Sequence, residues 1–162
     1  MVVNTSDGLP SELDFAYLAF LLGRRVNELV MERMSTARFK GVRESHGYLV
    51  QHLIESERSI TELAKRMEVT QQAASKTVAE LIGLGILEAA PAKDRRAKRI
   101  RLSQRGWDCV RLGRRARAQI DRRLVSAAGK KNYEIARSIL VTYLRALGGM
   151  ERIRSRRVRA PR

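Results

Sequence analysis

The stretch from Ile60 to Ser103 constrains this chain more than any other, because two short helical patterns, a tight Gly turn and a cationic loop follow one another there without a gap. In Thr61-Glu62-Leu63-Ala64-Lys65-Arg66-Met67 the apolar Leu63, Ala64 and Met67 share one helical face, with Thr61 as a ready N-cap. Glu68-Val69 breaks the pattern. A second helix starts at Thr70, again a hydroxyl cap, and turns Ala74, Val78, Leu81 and Ile82 inward. Its other face shows Gln71, Gln72, Ser75 and Lys76. Two short helices with one buried seam and an outer row of amides, a hydroxyl and an ammonium meet the needs of a helix-turn-helix, since such groups read base edges in a major groove.

After Leu84-Gly85 the period becomes extended, and Gly85 can take the positive φ that ends a helix. Leu87 to Ala90 forms one arm of a hairpin and Arg99 to Leu102 the other, with Ile100 and Leu102 alternating against Arg99 and Arg101. Between the arms lie Lys93, Asp94, Arg95, Arg96 and Lys98, four cations and one acid, which repel one another unless an anion lies beside them.

The run Thr70-Gln71-Gln72-Ala73-Ala74-Ser75-Lys76, the stretch Leu81 to Leu87 around Gly85, and the Asp94-x-Arg96 that precedes Leu102-Ser103 and Gly106 together resemble the MarR family of bacterial winged helix-turn-helix regulators. The likeness spans roughly residues 40 to 147, and the wing signature is its most specific part. Gly83 stands where the family usually has a larger polar residue. The resemblance implies a two-fold dimer on a pseudo-palindromic duplex, with the first helix at the dimer interface. It also implies that the Asp94 carboxylate holds the Arg96 guanidinium in a geometry suited to the minor groove. Many members bind small anionic or phenolic effectors between the dimerising helices and the DNA-binding lobe, where Arg43 and His46 would face them.

Bulk properties point the same way. A chain of 162 residues with 44% hydrophobic content is one domain with enough sequence for a core. Residues 1–90 carry ten Lys and Arg against twelve Asp and Glu, net −2, whereas residues 91–162 carry twenty-three against five, net +18. A surface of mixed sign does not separate in this way, so the expected partner is an extended polyanion, most simply double-stranded DNA.

One cysteine and two histidines assemble neither an internal disulfide nor a convincing metal site, so no metal or cofactor is expected, and the compartment reads as reducing cytoplasm. The chain lacks a Gly-rich phosphate loop and a nucleophile with its base, which argues against an enzyme. With no Lys or Arg before Arg24 there is no signal-peptide pattern, and Phe15 to Leu22 is too short for a bilayer.

Flanking the central stretch, a first helix capped by Ser11 is apolar around most of its circumference, with Leu13, Tyr17, Leu18, Phe20, Leu21 and Leu22, and needs several neighbours. The pattern loosens at Met34 to Ala37, and a second helix after Gly41 turns Leu49, Val50, Leu53 and Ile54 inward. From Gly106 a long helix carries Trp107, Val110, Ala116, Ile120 and Leu124 on a stripe flanked by arginines, and it stops at Ala128-Gly129. A last helix sets Ala136, Leu140, Tyr143 and Leu147 at steps of four, three and four, a seam suited to association between helices. His46 and His52, six apart, read as structural, and Cys109 as a buried small residue rather than a redox sensor. Trp107 and Tyr143 read as core or interface aromatics.

The expected fold is mainly α with a small β-hairpin, a winged helix-turn-helix with N- and C-terminal dimerisation helices. Residues 10–40 and 105–148 serve the dimer, residues 41–104 form the DNA-binding lobe, and residues 149–162 are a flexible basic tail. The expected function is a transcriptional regulator, more a repressor than an activator. Its rival is a structural nucleic-acid binder, nucleoid- or RNA-associated, that coats phosphates without sequence choice.

Overall fold

The computed structural model describes residues 13–36, 38–91 and 99–149. It is mostly helical. In chain order it contains α1 (Phe15–Thr36), α2 (Glu44–Val50) continued by a 3-10 turn (Gln51–Leu53), β1 (Arg58–Ser59), α3 (Ile60–Met67), α4 (Gln71–Gly83), β2 (Leu87–Ala89), β3 (Arg99–Leu102), α5 (Gln104–Ala128) and α6 (Lys130–Ala146). Among the described residues no helix is long and apolar enough to cross a membrane.

Each helix of the central pair starts where a side chain satisfies its free N–H groups. For α3 that side chain is Ser59 rather than Thr61: Ser59 Oγ accepts from Glu62 N at 3.2 Å and Glu62 Oε2 accepts from Ser59 N at 2.7 Å, a reciprocal capping box. The Ser59 N–H bond also holds the Glu62 carboxyl below the ordinary carboxylate range. Thr70 caps α4 as expected, its Oγ1 accepting from Ala73 N at 3.1 Å. Between them Glu68 takes a left-handed conformation, φ 52°, which turns the chain without a glycine. Leu63, Ala64, Ala74, Val78 and Leu81 interlock as the buried seam of the pair. Ile82 does not join it. It is 43% exposed, because it lies a full 100° of helix rotation beyond Leu81 and off the face that meets α3.

The hairpin is present, with Leu87 opposite Leu102 and Ala89 opposite Ile100. Ile100 and Leu102 are buried while Arg101 is exposed, the alternation that a half-buried strand requires. A third strand was not legible: β1, two residues long, pairs antiparallel with β3 through Arg58–Ile100 and Ser59–Arg99, giving the order β1-β3-β2. The wing is thereby stitched to the residue that caps α3.

The scaffold for this lobe is α1 against α5. The buried face of α5 is Gly106, Cys109, Gly113, Ala116 and Ile120, at steps of three and four. This seam shares Ala116 and Ile120 with the expected stripe and continues through the small residues Gly106, Cys109 and Gly113, whereas Trp107 and Val110 are only partly buried and Leu124 is 37% exposed. Small side chains let α1 approach closely enough to bury Val30 and Met34. Helix α1 runs on through Met34 instead of loosening there. Its first turn is closed by Asp14, whose Oδ1 accepts from Tyr17 N at 2.8 Å, while the expected cap Ser11 lies outside the described residues. Gly106 is where α5 meets the turn after α4. A Cβ there would lie 2.2 Å from the Ile86 carbonyl oxygen, so only glycine fits.

Candidate nucleic-acid interface

Helix α4 is held from behind and free in front. Its buried residues fix the back, and Gln71, Gln72, Ser75 and Lys76 are all exposed on the outer side, as are Thr70 and Ala73 at its start. Ala79 and Gly83 continue that strip toward the C-terminus with almost no side chain, and nothing lies within 4 Å of a Cβ built at Gly83. Packing therefore does not explain the glycine, which costs about 1 kcal/mol of helix propensity relative to Ala.

At the wing base, sequence reasoning missed an arginine brace. Arg99 Nη2 donates to the Glu57 carbonyl at 2.8 Å, its Nε lies 3.2 Å from Glu57 Oε1, and Glu62 Oε2 is 3.6 Å away. Arg101 pairs across the strands with Glu88 at 2.7 Å. Two of the cations adjoining the wing therefore serve the fold. The wing residues Lys93, Asp94, Arg95, Arg96 and Lys98 lie outside the described residues.

Where the wing returns to the body, Ser103 joins three elements. Its Oγ accepts from Gly106 N at 3.0 Å, capping α5, and reaches the carbonyls of Gly85 at 2.6 Å and Ile86 at 3.1 Å. Gly85 takes φ 68°, the left-handed value expected of it. Arg105 adds a second tie: Nε donates to the Leu84 carbonyl at 3.0 Å, Nη2 to that of Arg38 at 2.5 Å, and the guanidinium lies over the Phe39 ring at 5.1 Å. The turn that ends α4 is thus fixed to α5 and to the α1–α2 connection.

Between α1, α2 and α5 lies a cavity of about 190 Å³. Val30, Met34, Val50 and Ile86 give it an apolar wall, and Arg43, His46, Arg114 and Arg117 contribute positive or polar groups. The sequence brought out Arg43 and His46 but not Arg114 and Arg117, which read there as two members of a solvated Arg run. His46 is 2% exposed, with Nδ1 accepting from Arg43 N at 3.1 Å, and its Nε2 is 3.3 Å from Glu80 Oε2 on α4. The Arg43 guanidinium bonds the same carboxylate oxygen. The His46 hydrogen bond, aided by the charges of Arg43 and Lys76, holds the Glu80 carboxyl below its ordinary range despite some desolvation. His52 is also buried, in keeping with a structural role. Cys109 lines the same cavity as a free, buried thiol that burial pushes up to about 11, the Arg105 charge opposing only part of the effect. That environment makes a poor thiolate and favours the reading of Cys109 as a small apolar residue. Among the described residues no group of three or more His, Cys, Asp or Glu could hold a metal ion.

The expected association seam lies on the surface of the single chain. No residue of α6 is buried, and Leu140 and Tyr143 are 40% and 43% exposed, Leu147 84%. Ala136 is exposed on the same helix. On α1, Tyr17 and Leu21 are 49% and 37% exposed, and Leu13, just before the helix, is half-buried. The Phe15 ring meets Tyr143 edge-on at 4.9 Å, so the exposed parts of α1 and α6 form one apolar surface. Trp107 sits against the core, as expected of an apolar aromatic.

Residues 40–97 match the model of the MarR family. Among solved structures, the chain is similar to YusO from Bacillus subtilis, at 20% identity, covering 81% of this chain and 92% of that one, with a TM-score of 0.66. It is also similar to MepR, a transcription regulator of the Staphylococcus aureus multidrug efflux pump MepA, at 16% identity, 83% and 99% coverage and a TM-score of 0.67. A third likeness is to Streptococcus pneumoniae FabT in complex with DNA, at 18% identity, 85% and 99% coverage and a TM-score of 0.63. No curated protein matches the sequence. The likenesses establish the winged-helix fold together with its flanking helices.

Proposed function

Starting from the MarR-family match of residues 40–97, we propose that this chain is a sequence-specific double-stranded DNA-binding transcriptional regulator, a repressor released by a small effector. One observation carries the reading: α4 is buried along its back and presents Gln71, Gln72, Ser75 and Lys76 outward, in a fold whose next feature is a hairpin with a cationic loop. Thr70 serves first as the helix cap. In this reading the amides of Gln71 and Gln72 reach base edges, Ser75 and Lys76 add a base or phosphate contact, and Lys93, Arg95, Arg96 and Lys98 follow the adjoining minor groove with Asp94 orienting Arg96.

Dimerisation supplies the rest of the geometry. Residues 10–40 and 105–148 form the dimer, with Leu13, Tyr17, Leu21, Ala136, Leu140, Tyr143 and Leu147 in its interface, and residues 41–104 form the reading lobe of a single domain. A two-fold dimer places two recognition helices about 34 Å apart, which calls for a pseudo-palindromic operator. The tail beyond residue 149 adds phosphate contacts without sequence preference. The effector occupies the cavity beside Arg43 and His46, and its chemistry is anionic with an apolar body, matching the cations and the apolar wall there. An apolar cavity of about 150 Å³ takes benzene, so the space suits one ring. The protein works in the cytoplasm, beside its DNA, and no catalytic role is assigned to it.

The test is a footprint and gel shift on the DNA flanking the gene. A protected pseudo-palindrome that survives excess competitor DNA supports specific reading. Complexes stripped by competitor at all sites would overturn it in favour of a binder that only coats phosphates.

A further inference from the structure

The back of the recognition helix carries a polar clamp that the core does not require. Glu80 lies 37 residues from Arg43 and 34 from His46 in sequence, yet its Oε2 meets both. The His46 ring is fixed: Nδ1 accepts from Arg43 N, so in the neutral ring the proton sits on Nε2, which is aimed at Glu80. A single N–H serves one acceptor well, and a ring that is 2% exposed has no water to turn to. Arg43 is different, since its side chain is 61% exposed and can change partner without disturbing the core. Both donors also line the cavity between α1, α2 and α5, whereas Glu80 does not. The same pair of donors therefore faces the reading helix on one side and the cavity on the other. The remaining cations of the cavity, Arg114 and Arg117, belong to α5 and are not engaged by Glu80.

We propose that Glu80 is an internal competitor of the cavity's ligand: its carboxylate, bonded by the fixed His46, also holds Arg43 and so seats the C-terminal half of α4, and an amphipathic monoanion in the cavity draws Arg43 away and unseats the helix. The exchange rests on the reading above, that α4 contacts DNA and that an anion enters the cavity. It adds the route between the two. A ligand shifts an equilibrium only by its differential affinity for the two arrangements, and here the difference is the donor set that Glu80 must give up. Linkage then fixes a sign. If Glu80 competes with the ligand, removing its charge strengthens ligand binding, whereas a Glu80 that merely supports the fold would leave ligand binding unchanged or weaken it.

The probe is benzoate, one ring and one carboxylate, titrated into the full-length protein by calorimetry. Glu80→Gln is expected to bind benzoate about three- to tenfold more tightly than the unmodified protein, on the order of one accessible charge-assisted hydrogen bond, and Arg43→Gln to bind it more weakly by a similar factor. Glu80→Ala, neutral and a stronger helix former, is expected to show the same sign as Glu80→Gln. In the duplex arm, benzoate weakens DNA binding by the unmodified protein, while Glu80→Gln begins weaker and loses most of its response. Unchanged or weaker benzoate binding in both Glu80 variants overturns the exchange, as does a failure of the unmodified protein to bind benzoate at millimolar concentration. Tighter benzoate binding with no effect on any duplex upholds the exchange at Arg43 and overturns instead the assignment of α4 as the DNA reader.

Discussion

Removing the Ser103 hydroxyl is expected to cost stability out of proportion to the single atom deleted. The residue is 9% exposed, and its Oγ accepts from the buried Gly106 N while reaching the Gly85 and Ile86 carbonyls. Ser103→Ala orphans the Gly106 N–H in the first turn of α5, a cap loss of about 1 kcal/mol and up to about 2 at a buried end. The Gly85 carbonyl loses its hydroxyl donor, adding roughly 1 kcal/mol. The Ile86 carbonyl keeps its bond from Ser103 N at 3.0 Å and adds nothing. The sum is about 2–3 kcal/mol, which at a urea slope of about 2 kcal/mol per molar lowers the midpoint by roughly 1 M. Measurements are made at one protein concentration, since folding is expected to be linked to association. Ser103→Thr keeps the hydroxyl and is expected to recover more than half of the loss. A loss below about 0.5 kcal/mol for Ser103→Ala, or equal losses for Ala and Thr, would refute the hydroxyl as the link between α4, the wing and α5.

Gln72→Ala is expected to lower operator affinity by about 1–3 kcal/mol with the loss concentrated at one base position, whereas Lys76→Ala weakens all duplexes alike; competition binding on single-base operator variants tells them apart. Leu140→Glu, which puts a charge into the exposed apolar seam, is expected to dissociate or unfold the protein in sedimentation experiments, and a well-folded monomer for the unmodified chain would remove the basis of that expectation. Thiol labelling of Cys109 is expected to be slow at pH 7–8 and to accelerate only as pH rises toward the value of about 11 to which burial pushes the thiol, so labelling as fast as a free thiol at pH 7 would contradict its burial.

The parts of the fold that repeat at a fixed short period were legible in the residues themselves. Leu63, Ala64, Ala74, Val78 and Leu81 follow helical spacing, Ile100 and Leu102 follow strand spacing, and Gly85 and Gly129 mark stops where the backbone takes φ 68° and 80°. On α5 the burial of Cys109, Ala116 and Ile120 was legible, but the glycines of the seam were not, because apolar size is a poor guide where helices pack closely: Gly106 and Gly113 pack by being small, while the larger Leu124 stays 37% exposed. Ser59 escaped because Thr61 is an equally good cap by residue type, although Ser59-Ile60-Thr61-Glu62 carries the capping-box spacing that the structure uses.

Charged residues were the least legible, because a charge finds its partner across the fold rather than along the chain. Arg99 read only as an outward-alternating residue of the hairpin arm, but its contacts with Glu57 and Glu62 make it part of the support for α3. Glu80 drew no notice in the sequence, and only the packing of α2 against α4 gives it Arg43 and His46. The two cases differ in consequence. Arg99 joins elements that share a sheet edge, so its loss loosens the wing base whatever else is bound. Glu80 joins α4 to donors that also line a cavity, the arrangement on which the proposed exchange rests. A net charge of +16 favours a polyanionic partner, but it is the acids, seventeen against thirty-three cations, that decide which cations are left to meet one.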